Sequence, residues 1–162
     1  MKLKTNSQRI LYELFRQEYL ENAIIPDESR YFEFFASTQV LKDNDLSDEE
    51  IENGVLGNGN DGGCDAIYTF FNNSLMTEDL VNYISGGKDA TIDFVIIQAK
   101  RENCFSEDAI MKWKTTTQNL LEIGVDDSVY STRYDEGVLS AFALFRELYV
   151  KLLRNTPKLN IH

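Results

Sequence analysis

Three side chains in this 162-residue chain could do chemistry together. Asp65 follows the turn-rich stretch 57–63, and Gln98 and Lys100 close the most continuous apolar stretch, 91–100. On an extended strand, residues two apart point to one face, so Gln98 and Lys100 share a side. An amide and an ammonium ending a buried strand are costly unless they are paired or used. If the strands carrying Asp65 and Gln98 are neighbours, the three side chains converge. Asp65 then offers a charged oxygen to a divalent metal, Gln98 a neutral carbonyl oxygen, and the Ala99 backbone carbonyl a third ligand. Lys100 would hold or deprotonate an attacking water. Hard oxygen ligands with open water positions suit Mg²⁺. The reaction such a set implies is metal-assisted phosphodiester hydrolysis.

Other chemistries are excluded by composition. The one histidine is the last residue, His162, which removes Ser-His-Asp and Cys-His catalysis and histidine-centred zinc sites. Apolar residues at 43% and charged residues at 27% describe one globular domain. The net charge of −11 argues against a polycation that coats nucleic acid or an anionic membrane, while leaving a local metal-assisted site open. The charge is uneven: residues 1–81 carry a net −10 and residues 82–162 a net −1. Much of the excess lies in the run 43–52, expected to be a solvated surface. No apolar run is long enough to span a bilayer, and the start turns polar before any signal-like segment develops. No membrane partner and a cytoplasmic location are therefore expected. Cys64 and Cys104 form no CxxC pair and are expected to be free, buried thiols.

The elements that must position these residues are legible in the apolar spacing. Helices are predicted over 7–22 and 28–41, with a short third helix opened by Ser47 and Glu50, which have capping-box spacing. This helical part, 1–53, precedes a core, 54–162, within one domain. Strands are predicted over 64–71 and 91–100, the second central and covered on both faces. Between them, Thr77 is placed as the cap of a short helix. Ser106 caps a helix over 107–123, a long helix fills 135–155 before Pro157, and 159–162 begins another strand. Asp61 suits a turn former better than a ligand. Arg101, Lys112 and Lys114 are candidate nucleic-acid contacts, whereas Trp113 lies on the apolar side of its helix and is expected in the core.

Asp61-Gly62-Gly63-Cys64-Asp65 followed by Ile97-Gln98-Ala99-Lys100 resembles the Mrr-type branch of the restriction-endonuclease-like, PD-(D/E)XK, superfamily. There a Gly-Gly-apolar-Asp turn precedes a hydrophobic strand ending Gln-x-Lys. The fuller stretches 60–68 and 96–100 are similar to the N-terminal region of AIPR proteins, the bacterial abortive-infection phage-resistance family. The resemblance implies an α/β, restriction-endonuclease-like core with a central mixed sheet flanked by helices. It implies Asp65 as the metal-binding acid, Gln98 in place of the usual second acid, Lys100 as the catalytic lysine, and Glu33 as the glutamate many members add from the preceding helix. Cys64 stands where an aliphatic residue is usual, and the uncharged Gln98 implies weak metal binding until a substrate phosphate arrives. The implied activity is a Mg²⁺- or Mn²⁺-dependent nuclease, acting on DNA in anti-phage defence, with RNA as the alternative substrate. Family members are long multidomain proteins, so the chain is expected to be an N-terminal fragment with its core incomplete at the C-terminus. Self-association is left open. The rival from another class is a catalytically inactive interaction module of the same fold, with Asp65 and Lys100 merely paired.

Overall fold

A computed structural model describes residues 5–22, 25–57, 59–87, 89–101 and 106–162. Cys104 lies outside them. Helix α1 (Asn6–Asn22) leads to α2 (Glu28–Val40), whose cap Asp27 accepts the Arg30 N–H at 2.8 Å. Ser47 and Glu50 form the expected reciprocal capping box at the start of α3 (Asp48–Asn53). The acidic stretch around it is solvated, with Asp43, Asp45, Asp48, Glu49 and Glu50 all exposed.

Four strands follow the sheet order β2-β1-β3-β4. Strand β1 (Ala66–Phe71) turns through Asn72 and Asn73, both at positive φ, into the short β2 (Ser74–Leu75). Asparagine tolerates that left-handed region better than most residues. After the one-turn helix α4 (Glu78–Val81), β3 (Thr91–Ile97) pairs antiparallel with β1, from Ala66↔Ile97 to Phe71↔Ile92. Helices α5 (Glu107–Leu120) and α6 (Glu136–Leu152) come next, separated by a 3₁₀ turn at Asp127–Tyr130. The chain then runs through a 3₁₀ turn, Leu153–Asn155, and Pro157 into β4 (Lys158–Ile161). Strand β4 is parallel to β3, so the sheet is mixed and the strand expected after the last helix lies beside the central one.

Four boundaries differ by two residues or more from the sequence expectation. Strand β3 stops at Ile97 rather than Lys100, because the Ala99 N–H turns to the Asp65 carboxylate instead of a neighbouring main chain. Strand β1 starts at Ala66, because the Cys64 N–H closes a turn on the Asp61 carbonyl at 3.1 Å. Helix α5 ends at Leu120, and α6 gives way to the 3₁₀ turn before Asn155.

Both faces of the β1–β3 pair are covered, as a near-continuous apolar strand requires. On one face Ile67, Ile92, Phe94 and Ile96 meet α6 through Val138, Phe142, Phe145 and Leu148. Phe94 stacks on Phe145 at 4.3 Å and meets Phe142 edge-on at 5.2 Å. Trp113 packs on the margin of this cluster, in line with the core role expected of it. On the other face Ala66, Tyr68, Phe70 and Ile97 meet Leu41 and Val55, and the Tyr68 hydroxyl donates to the Ile51 carbonyl at 2.6 Å. A third, aromatic cluster of Phe15, Tyr31 and Phe35 ties α1 to α2, and Phe34 packs against both this cluster and the sheet. The apolar stripe of α1 is buried only in part: Phe15 is 2% exposed but Ile10 is 72% exposed.

The α6 layer sets the stability of the sheet. Phe142→Ala should cost about 3–5 kcal/mol, the usual range for emptying a buried phenylalanine site. A urea titration of both proteins checks this; an unchanged midpoint would mean α6 does not carry the core.

Candidate active site

The site is built at the end of the β1–β3 pair. The Asp65 N–H donates to the Ile97 carbonyl at 2.8 Å, which extends the ladder one step beyond β1. Ile97 is also the register partner of Ala66, so Asp65 and Ala66 both stand against the last residue of β3. The Asp65 carboxylate then accepts the Ala99 N–H at 2.6 Å. Asp65 is thereby bonded to the segment Gln98–Ala99–Lys100 itself.

The approach to Asp65 explains its glycines. Gly62 and Gly63 both have positive φ, +67° and +85°, where an L side chain is strained. A Cβ on Gly62 would stand 2.4 Å from Thr116 Oγ1, and one on Gly63 would stand 3.1 Å from Gln98 Nε2. The Asp61 carboxylate closes this turn by accepting the Gly63 N–H at 2.6 Å, as a turn former should. The same oxygen pairs with Lys112 Nζ at 3.1 Å. The buried Thr116 hydroxyl bonds the Gly62 carbonyl at 2.7 Å, so α5 anchors the turn.

Glu33 reaches the same neighbourhood from α2. Its Oε2 is buried without a hydrogen-bond partner, as is Nε of Arg30 one turn earlier. Burial, then the Asp65, Asp61 and Asp27 charges, push its carboxyl up to about 7, against a smaller downward pull from Arg30. Burial also raises Asp65, opposed first by its hydrogen bond to Ala99 and then by the Lys100 and Lys112 charges. Cys64 is a free buried thiol pushed up to about 12, chiefly by burial, so it is not a nucleophile at neutral pH.

The remaining candidates divide. Lys100 is exposed and makes no ion pair or hydrogen bond among the described residues, so the Asp65–Lys100 pairing of an inert scaffold is not formed there. Lys114 is exposed on α5. Arg101 is committed elsewhere: it bonds the Glu28 carbonyl at 2.6 Å, pairs with the Glu28 carboxylate at 3.3 Å, and lies over the rings of Phe15 and Phe32. It clamps the chain after the site onto the α1–α2 layer. Two contributors escaped the sequence reading. Arg30 could have been found from its spacing, three residues before Glu33 on one helix face. Thr116 carried a weaker signal, a β-branched run 115–117 inside a helix that packing rather than propensity must favour.

No group of three or more His, Cys, Asp or Glu side chains among the described residues is arranged to hold a metal ion. The oxygens on offer are instead two carboxylates, Asp65 and Glu33, with the Gln98 amide and the Ala99 carbonyl. An unpartnered buried carboxylate oxygen beside a second carboxylate fits a hard cation, which would offset the burial that raises both groups and the Asp65 charge that raises Glu33. Comparison of the chain with protein-family models, with curated proteins and with solved structures gave no significant match.

Glu33 gives the site a pH signature. Its folded value lies above the unfolded one, so the folded state binds the extra proton, and its contribution to stability falls as pH rises from about 4.5 to about 7. Glu33→Gln should remove that loss, so the variant gains on the parent between pH 5 and pH 8 in urea midpoints. An identical pH dependence in both proteins would place Glu33 in ordinary solvent.

Proposed function

We propose that this chain is a metal-dependent nuclease domain of the restriction-endonuclease-like type, similar to the N-terminal region of AIPR proteins, hydrolysing DNA in bacterial anti-phage defence. One observation carries the reading: the Asp65 carboxylate is hydrogen-bonded to the N–H of Ala99, between Gln98 and Lys100. The glycine turn before Asp65, the parallel strand β4 beside β3, and Glu33 approaching from a preceding helix add support.

In this reading Asp65 and Glu33, with the Gln98 amide and the Ala99 carbonyl, hold one Mg²⁺ or Mn²⁺. The bound ion supplies Lewis acidity at the scissile phosphate and a more acidic water. Lys100, exposed and without an ion-pair partner among the described residues, holds the attacking water and steadies charge developing on the phosphate. Burial and like charge keep Glu33 protonated into the neutral range, so the site is less anionic before cation and phosphate arrive together. Against a net charge of −11, cations such as Lys112 and Lys114 serve local phosphate contacts, while Arg101 serves the fold.

The test is cleavage of plasmid DNA and of a structured RNA with Mg²⁺. The parent should nick the plasmid, and Lys100→Ala should lose about 100-fold or more, the scale of a group acting on the transferred proton or water. Thermal melting should be unchanged, because Lys100 is exposed and makes no hydrogen bond or ion pair among the described residues. Undiminished nicking by Lys100→Ala refutes its role, and cutting of RNA alone reassigns the substrate. A folded parent that cuts neither is the interaction module.

A further inference from the structure

Beside the glycine turn that leads to Asp65, an open cleft of about 380 Å³ lies between α5 and the loop before α6. Asn60 and Gly62 of the turn line it, together with Lys112 of α5 and Arg133 of the loop. The Asp135 N–H donates to the Asn60 carbonyl at 3.0 Å, so the loop that carries Arg133 is bonded to the turn itself. On the other wall Lys112 meets the Asp61 carboxylate at 3.1 Å, and its charge is also felt at Asp65. The cleft therefore borders the candidate active site.

Arg133 is the cation of this cleft that the fold leaves unengaged. It is exposed, and its guanidinium makes no hydrogen bond or ion pair among the described residues. It lies over the Tyr134 ring, 5.4 Å from the centroid. That ring is held in place: Tyr134 is buried in the α6 core, and its hydroxyl accepts the Asn119 side-chain N–H at 2.8 Å. A guanidinium stacked on an aromatic face keeps its in-plane N–H donors free for an anion, and a cation already ordered loses less freedom on binding. Asp108, itself exposed, is the one carboxylate lining the cleft among the described residues.

Charge elsewhere favours this side of the molecule for a polyanion. The acidic helix α3 packs on the opposite face of the sheet, where the Ile51 carbonyl takes the Tyr68 hydroxyl. Residues 1–81 carry a net −10 and residues 82–162, which include α5 and α6, a net −1. A phosphate chain approaching Asp65 is repelled from the α3 side and meets Arg133 and Lys112 on the other. Phosphate contacts of this kind set the register of a nucleic acid without reading its sequence. We propose that the cleft between α5 and the loop before α6 holds a backbone phosphate of duplex DNA flanking the cleaved bond, with Arg133 as the principal contact and Lys112 as the second. The choice of ligand rests on the nuclease reading.

The experiment is fluorescence anisotropy of a labelled duplex over a series of salt concentrations, with Ca²⁺ in place of Mg²⁺ so that binding is read apart from cleavage. The parent should bind, and Arg133→Ala should weaken binding about tenfold or more, as loss of a charge-assisted contact does. Its slope of log affinity against log salt should fall by about 0.9, the counterion release of one lost phosphate contact. Arg133→Lys keeps the charge, so it should keep the slope, and it covers the case in which the alanine variant does not fold. Lys158→Ala removes the same charge at the far end of β3, beside Thr91, and should change neither quantity. Equal binding by Arg133→Ala and parent overturns the proposal, as does an equal loss in Lys158→Ala, which would be an effect of net charge alone. A parent that binds no duplex, or binds only a structured RNA, also overturns it. Plasmid cleavage separates the two readings. A parent that binds through Arg133 but never cuts upholds the phosphate contact and refutes the nuclease. A parent that cuts with the same KM as Arg133→Ala refutes the contact alone.

Discussion

The register of β1 against β3 is the constraint on which the rest depends. Side chains alternate across a strand, so a slip of one residue would turn Ile67 away from the α6 core and Asp65 away from the Ala99 N–H in the same step. Burial therefore specifies the site. Ile92, Phe94 and Ile96 must face Val138, Phe142 and Phe145, and that requirement carries Asp65 to the end of β3, where its N–H bonds the Ile97 carbonyl. The last hydrogen bond of the ladder is then no longer between backbones: the Ala99 N–H passes to the Asp65 carboxylate, and the strand ends where the polar residues begin.

Around that point the electrostatics are unbalanced. Asp61, Asp65 and Glu33 all raise or feel one another's charge, and two of them are raised mainly by burial. Lys112 answers Asp61 directly at 3.1 Å, whereas Lys100 acts on Asp65 only through space. A fold selected for stability alone would more simply replace an unpartnered buried carboxylate by an apolar group. In Glu33 such an oxygen is kept, and proteins tolerate such a local cost at places that take a ligand.

Much of this was legible in the sequence because it rests on local rules. The capping box of Ser47 and Glu50, the start of the central strand at Thr91 and the Gly62–Gly63 turn are each specified by neighbouring residues. What was not legible depends on contacts far along the chain. Arg101 looked like a free cation, yet Glu28, Phe15 and Phe32, more than 65 residues earlier, claim its guanidinium. The end of β3 was misplaced by three residues because a carboxylate 34 positions away takes the Ala99 N–H. The helical spacing of α1 marked Ile10, Leu11 and Leu14 as apolar without showing that only Phe15 would turn inward and be fully covered.

The central claim is that Asp65 and the Gln98–Lys100 segment form a metal-assisted hydrolytic site. Anomalous scattering from crystals grown with Mn²⁺ tests it most directly. The account predicts one manganese peak in ligating contact with the Asp65 carboxylate and the Ala99 carbonyl, lost in Asp65→Asn. A manganese ion bound only elsewhere, or a peak that survives Asp65→Asn unchanged, would contradict it.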